Sequence, residues 1–220
     1  MSYQHQYLDG SPLNLPTGKV ICVGRNFAEH AAELNNPIPT EPMLFIKPST
    51  SVVDMSKPFF VPRDYGVVHF ETEMSILIGE TLKHASPIQA KSAIIGVGLG
   101  LDLTLRELQD QLKAKGHPWE KSKGFDGSCP LSRFVSLDEV EDLQTLDIRL
   151  WVNGELRQQG NSSQMLNQVL PLISYCSEFF TLEPGDVVLT GTPAGVGPIS
   201  ADDKLCVELD KLLSITTQAV

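Results

Sequence analysis

Nothing in the 220-residue chain approaches the roughly 20 consecutive apolar residues of a membrane-spanning helix. A membrane protein of the helical kind is therefore not expected. Cysteine is scarce: Cys22, Cys129, Cys176 and Cys206 are widely scattered and no two are spaced CxxC. That excludes a zinc ribbon or a dithiol redox motif, and the thiols are expected to be free, buried and in a reducing compartment. Bases are few, 17 Lys and Arg against 27 Asp and Glu, for a formal charge of −10. Such a surface repels phosphate backbones, so no nucleic-acid partner is expected. The first twenty residues have no basic start followed by an apolar stretch, and no Arg-rich, acid-poor character. The expected location is the cytoplasm, with no membrane association.

Several catalytic signatures are missing too. There is no GxSxG nucleophile elbow. Gly191–Gly197 (GTPAGVG) lacks the Lys-Ser/Thr ending of a phosphate loop, although its N–H groups can face a carboxylate. In GVGLG at 96–100 the third glycine falls at the wrong spacing for a dinucleotide fingerprint.

What is present is an ordinary globular composition, 41% hydrophobic and 20% charged. A chain of this length buries roughly 70% of its surface without a disulfide or structural metal. It shows no repeats or linkers, so one domain over 19–220 is expected, preceded by an extended arm over 1–18. Residues 19–24 and 43–47 read as strands. Asn26 reads as the cap of a short helix over 27–34. Polar and apolar residues roughly alternate over 67–78, a strand pattern. Ser86-Pro87 opens a helix over 86–95, and a second helix covers about 104–114, ended by Gly116. Asn153-Gly154 between two strand-like runs predicts a hairpin over 146–159 with a type I′ turn. Leu172, Ile173, Cys176, Phe179 and Phe180 have helical spacing, so 170–180 is a helix. Glu183–Asp186 turns the chain into the strand VVLTG, and the tail alternates at Leu205, Val207 and Leu209. Strands outnumber helices and hairpins outnumber βαβ units, which gives an α+β class.

Three groups of residues can carry chemistry. Glu71 and Glu73 stand at i and i+2, on one face of a strand. Two carboxylates that close repel unless a cation lies between them, and oxygen-only donors suit Mg2+ or Mn2+ rather than zinc. Asp102 follows a long apolar, glycine-rich run, where a lone acid needs a partner. It can be a third ligand at a strand end or a helix cap. His30 and Glu33, at i and i+3, share a helix face, and a carboxylate that orients an imidazole makes a general base. Lys121 and Lys123 lie in WEKSKGFDG, and a lysine there can stabilise an anionic intermediate.

Taken in order, GRNFAEHAAE (24–33), FIKPSTSV (45–52), HFETEMSILIG (69–79), GLDLTLRELQ (100–109), KSKGFDGSCPL (121–131), VNGELRQQGNSSQM (152–165), LEPGD (182–186) and GTPAGVGP (191–198) resemble the fumarylacetoacetate hydrolase family. The closest likeness is to its compact acylpyruvate hydrolase, oxaloacetate decarboxylase and isomerase branch. The resemblance implies rolled mixed β-sheets with peripheral helices, and a homodimer. It implies that Glu71, Glu73 and Asp102 hold one Mg2+ or Mn2+, and that His30 and Glu33 form the water-activating dyad on a short lid helix. Lys123 would meet the carboxylate or enolate oxygen of a small 2-oxo acid, and Arg25, Arg106, Gln109 and Thr192 are candidate substrate contacts. The expected reaction is metal-dependent cleavage of the C–C bond of acylpyruvates to pyruvate and a carboxylic acid. The same site would support decarboxylation of oxaloacetate, enol–keto tautomerisation or isomerisation of a hydroxydienoate. A non-catalytic dicarboxylate-binding domain is the contrasting expectation. Two departures stand out. Leu101 replaces the Asn common before the aspartate, which would remove a hydrogen bond beside it. Ser132 and Arg133 stand where the family has Gly; if that loop lines the site, Arg133 would alter the distal group accepted.

Overall fold

The computed structural model describes residues 3–34 and 37–220. Its elements in chain order are β1 (Val20–Gly24), α1 (Ala28–Glu33), β2 (Met43–Lys47), β3 (Val52–Asp54), β4 (Val68–Phe70), β5 (Thr72–Ile78), α2 (Pro87–Ala93), β6 (Ile94–Leu101), β7 (Thr104–Leu105), α3 (Arg106–Ala114) and α4 (Glu120–Lys123). After these come β8 (Cys129–Leu131), β9 (Val135–Ser136), β10 (Asp147–Val152), β11 (Glu155–Asn161), α5 (Val169–Phe179), β12 (Val187–Leu189), β13 (Gly197–Ile199), β14 (Lys204–Leu209) and β15 (Leu213–Gln218).

The largest sheet runs β2-β1-β12-β5-β6-β8-β3. β6 pairs β5 along one edge, and β8 and β9 in turn along the other. The β1–β12 and β3–β8 pairs are parallel and the others antiparallel, so the sheet is mixed. A four-stranded antiparallel sheet, β11-β10-β14-β15, and a small sheet, β13-β4-β7, complete the rolled α+β architecture. All seven residues of β5 are buried. Such a strand reads as polar and apolar in sequence yet contributes Thr72, Glu73 and Ser75 to the interior. That is the first sign that the interior holds a polar site.

Local chemistry explains the element ends. Ser86 accepts from the Gln89 N–H, the Gln89 side chain returns to the Ser86 N–H, and Pro87 takes the first helical position, a complete capping box. Asn153 and Gly154 lie at φ 52° and 84°, the left-handed pair that a type I′ turn requires. The α5 helix buries Leu172, Ile173 and Cys176 but leaves Phe179 exposed. Phe179 packs on Tyr175 at the surface instead of joining the core.

Other expectations are corrected. Asn26 does not cap α1, whose first turn is preceded by Phe27 with no side-chain cap. The Asn26 amide instead donates to Asn167 O and Thr190 O, and its oxygen accepts from the Asn167 N–H. Tertiary contacts out-compete the local cap. The expected strand over 67–78 breaks at Glu71 into β4 and β5, which join different sheets. The α3 helix begins at Arg106, because Thr104 and Leu105 pair with β4; Asp102 therefore caps nothing. Residues of the arm are packed on the body. His5 is fully buried, and its Nε2 donates to Gly185 O. Three cysteines are buried free thiols and Cys206 is half-buried. Burial pushes the Cys129 and Cys176 thiols up to about 12, which keeps them protonated and unreactive at neutral pH.

Candidate active site

The register of β5 and β6 assembles the carboxylates. Antiparallel pairing sets Thr72 opposite Leu101 and Glu73 opposite Gly100. One step outward, the Asp102 N–H donates to Glu71 O at 2.8 Å. Directly opposed residues share a face, as do residues two apart on one strand. Glu71, Glu73 and Asp102 therefore converge, with one oxygen from each lying within 4.8 Å of the others, and all three are buried.

Three cations enter this cluster. Lys123 Nζ donates to Glu71 Oε2 at 2.8 Å, Asp102 Oδ2 at 2.5 Å and Thr104 Oγ1 at 2.7 Å. Arg106 donates to Glu71 Oε1 through Nη2 and to Gln109 Oε1 through Nη1. Lys47, fully buried, places Nζ 2.8 Å from Asp102 Oδ1. Lys47 also donates to Leu103 O, Lys123 O, Ser128 O and Ser128 Oγ. Sequence reasoning missed Lys47. Its only signal is a charged residue ending a strand of apolar residues, MLFIK.

The electrostatics divide the two glutamates. Burial alone would push the Glu71 carboxyl up; Lys123 and Arg106 together outweigh it and hold the group well below the usual range. Burial, then the charges of Asp102 and Glu71, push the Glu73 carboxyl well above its usual range, against Lys123 and the Gly191 N–H. That N–H donates to Glu73 Oε2 at 2.6 Å. Burial would lower Lys123, but Asp102 and Glu71 raise it, so it stays an ammonium.

The donor set fits a divalent cation. Three buried carboxylates supply only hard oxygens. Asp102 Oδ1 has charge beside it but no aligned hydrogen-bond donor. Burial and the neighbouring carboxylates disfavour the charged form of Glu73, and a further positive charge beside it would favour that form.

His30 is buried on the wall of the same pocket, together with Arg25, Gln109 and Thr192. Its Nδ1 lies 3.4 Å from Glu33 Oε2. A carboxylate only accepts, so this contact puts the ring proton on Nδ1 and leaves the Nε2 lone pair free. Glu33 itself is outside the pocket lining. Both its oxygens accept from the Gly195 N–H, at 3.1 and 3.2 Å. Gln109 is held by Arg106, and the Thr192 hydroxyl is already used, donating to Thr72 O and accepting from Gln158 Nε2. Lys121 is exposed and is not part of the pocket lining. Arg133 is also absent from that lining; it borders a separate cavity with Tyr3, Asp54 and Lys57, so it does not set the distal group. Leu101 lies fully buried in β6.

Gly195 is a sensitive point. Its φ is +97°, and a Cβ there would run into Arg157 O. Gly195→Ala should shift the loop and release Glu33. We expect turnover to fall roughly tenfold, part of what a positioned acid–base group supplies. Affinity for Mn2+, read by electron paramagnetic resonance, should be unchanged. Full activity would show that the Glu33 anchor is dispensable.

The fold and this pocket define a class of enzyme, and comparison with known proteins identifies it. The model of the fumarylacetoacetate (FAA) hydrolase C-terminal family matches residues 19–220. The chain is 49% identical over 219 residues to the oxaloacetate tautomerase YcgM of Escherichia coli K12, covering 99% of this chain and 100% of that one. It is 42% identical over 182 residues to a mitochondrial oxaloacetate decarboxylase of Dictyostelium discoideum, covering 82% and 84%. The crystal structure of a fumarylpyruvate hydrolase from Pseudomonas aeruginosa, in complex with Mn2+ and pyruvate, superposes with a TM-score of 0.93 at 34% identity, covering 100% and 96%. The chain belongs to the fumarylacetoacetate hydrolase family and is an enzyme. Among the described residues no helix is long and apolar enough to cross a membrane.

Proposed function

We propose that the enzyme interconverts the enol and keto forms of oxaloacetate, or of a closely similar four-carbon 2-oxo dicarboxylate. One observation carries this over C–C hydrolysis. Of the His30–Glu33 pair only the imidazole reaches the pocket, while Glu33 is spent on Gly195. That arrangement suits a shuttle for one proton better than activation of a water. The relatives of higher identity, named for oxaloacetate, support the same choice over the acylpyruvate reading.

Glu71, Glu73 and Asp102 would hold a divalent cation, Mg2+ or Mn2+, whose charge would polarise the 2-oxo group and lower the cost of an enolate. The remaining work falls to the chain. His30 Nε2 takes the proton from C3 of the keto form as the C–H electron pair becomes the C2–C3 double bond. The negative charge gathers on the C2 oxygen beside the Lys123 ammonium, and the proton held by His30 passes to that oxygen, which completes the enol and restores the neutral imidazole. The reverse path delivers the His30 proton to C3. Arg25 has no acidic partner among the described residues, and the buried Nε–H of Arg106 has no acceptor. Both are available to the substrate's carboxylates.

The test follows enol oxaloacetate by its ultraviolet absorbance, with pyruvate assayed in parallel. Metal-dependent decay of the enol signal, lost in His30→Asn and without matching pyruvate, is expected. Pyruvate formed in step with the decay would make the enzyme a decarboxylase. Release of pyruvate from acetylpyruvate at a higher kcat/KM would restore the hydrolase reading.

A further inference from the structure

The pocket wall holds a residue with no place in the chemistry above. Trp119 precedes α4 and is half-buried on the pocket lining with Phe45, Gly24 and Lys113. Its indole is gripped from three sides. Lys113 Nζ stands 5.4 Å from the ring centroid, a cation–π contact. Phe45 packs at a tilt of 58° with centroids 6.0 Å apart. Gly24 presents bare backbone, and a Cβ there would lie 3.6 Å from Trp119 Cζ3. The main chain is fixed as well. Trp119 O accepts from the Ser122 N–H at 2.8 Å, the Lys123 N–H at 3.0 Å and Ser122 Oγ at 2.7 Å.

Those bonds tie the Trp119 main chain to the turn that carries Lys123. Lys123 lies four positions on, about one helical turn and a rise of about 6 Å. Lys123 marks the end of the pocket where the 2-oxo group reacts. Trp119 lines the same pocket about one turn away from that end, beside Phe45 and Lys113. Lys113 beside it is half-buried, so this part of the wall sets an amine against an aromatic face.

We propose that Trp119, clamped by Lys113 and Phe45, is the wall that limits substrate length and reserves the site for a short dicarboxylate. This rests on the reading of the pocket as a 2-oxo acid site. The clamp makes the wall stiff. A mobile indole would swing aside for a longer chain, whereas this one must give up its contacts with Lys113 and Phe45 to do so. A rigid wall discriminates by about tenfold or more for each extra methylene.

The test is calorimetric binding of oxalate, oxaloacetate, 2-oxoglutarate and 2-oxoadipate to the Mg2+-loaded protein. The wild type should lose about tenfold in affinity for each carbon added beyond oxaloacetate. Trp119→Ala should flatten or invert that series by at least tenfold at 2-oxoadipate, while oxalate, which has no distal arm, binds as before. Lys113→Met, which frees the indole without deleting it, should flatten the series partway and covers the case in which Trp119→Ala does not fold. An unchanged length series in either folded variant overturns the proposal, as does a flat series in the wild type. Failure of the tautomerase reading looks different. The enol assay would then be silent while the length series and its response to Trp119→Ala remain.

Discussion

Replacing Glu73 by Gln should abolish metal-dependent turnover and at the same time stabilise the metal-free protein. Glu73 is nearly isosteric with Gln, so packing is kept and only the charge is lost. In the metal-free protein, burial and the neighbouring Asp102 and Glu71 raise its pKa well above the ordinary 4.5. Between those two values the folded state binds more protons than the unfolded state. Stability therefore falls as the pH rises from about 4.5, and the loss is fully developed above the folded value. Glu73→Gln removes that slope, so the variant should melt higher than the wild type at pH 7 without metal. With Mn2+ at about 100 times its Kd the wild type gains about 2.7 kcal/mol, and the order of melting temperatures should reverse. Loss of the cation's charge stabilisation, several kcal/mol, corresponds to a drop of about 10³-fold in kcat/KM. Calorimetric scans at pH 5 and 7, with and without Mn2+, check all of this. A variant that keeps the wild-type gain from Mn2+ would remove Glu73 from the metal-binding set.

Lys47→Met should be the most damaging single change to stability. The ammonium is fully buried and is shared among Asp102, Ser128 and the carbonyls of Leu103, Lys123 and Ser128. Methionine matches its shape but leaves Asp102 Oδ1 and those acceptors facing a thioether, with Lys123 the remaining cation on the Oδ2 side. Breaking a buried pair from one side costs about 3–5 kcal/mol, a fall in melting temperature of roughly 10 °C for a chain of this size. The double variant Lys47→Met/Asp102→Asn, which removes the stranded charge, should recover part of the loss. If both melt alike, charge is not what Lys47 supplies. Because Lys47 also holds the carbonyl of Lys123, the single variant should disturb the α4 turn as well.

The readable part of the molecule was its local periodicity and its spacing. Glu71-Thr72-Glu73 announced two carboxylates on one face because a strand repeats every two residues. His30 and Glu33 announced themselves by helical spacing. The Asn153-Gly154 hairpin and the Ser86-Pro87 helix start needed only turn and cap chemistry. The unreadable part depends on what lies across the fold. No local signal ends β4 at Phe70; the break arises because β4 pairs with β7 and β13 while β5 pairs with β6 and β12. Asn26 has every attribute of a cap, yet residues 141 and 164 positions away take its side chain. Lys47 looks like a strand-end charge until the ladder carries it under Asp102. Trp119 reads as one aromatic in a loop, and only the folded chain sets Lys113 and Phe45 against it.

The way Asn26 and Glu33 are held also bears on synthesis. The segment carrying the dyad is made early, but its supports are made late. Phe27 bridges to Met165, Asn26 is bound by Asn167 and Thr190, and Glu33 rests on Gly195. β1, just before the dyad, pairs with β12. A ribosome that has released only the first 150 residues has exposed His30, Glu33 and all three acidic residues, but none of the partners that anchor Asn26, Phe27 and Glu33 to the body. On the proposed role of His30, the nascent chain therefore carries its carboxylates well before the proton-transfer group is anchored, and activity should switch on only once the stretch through Gly195 has emerged and folded back.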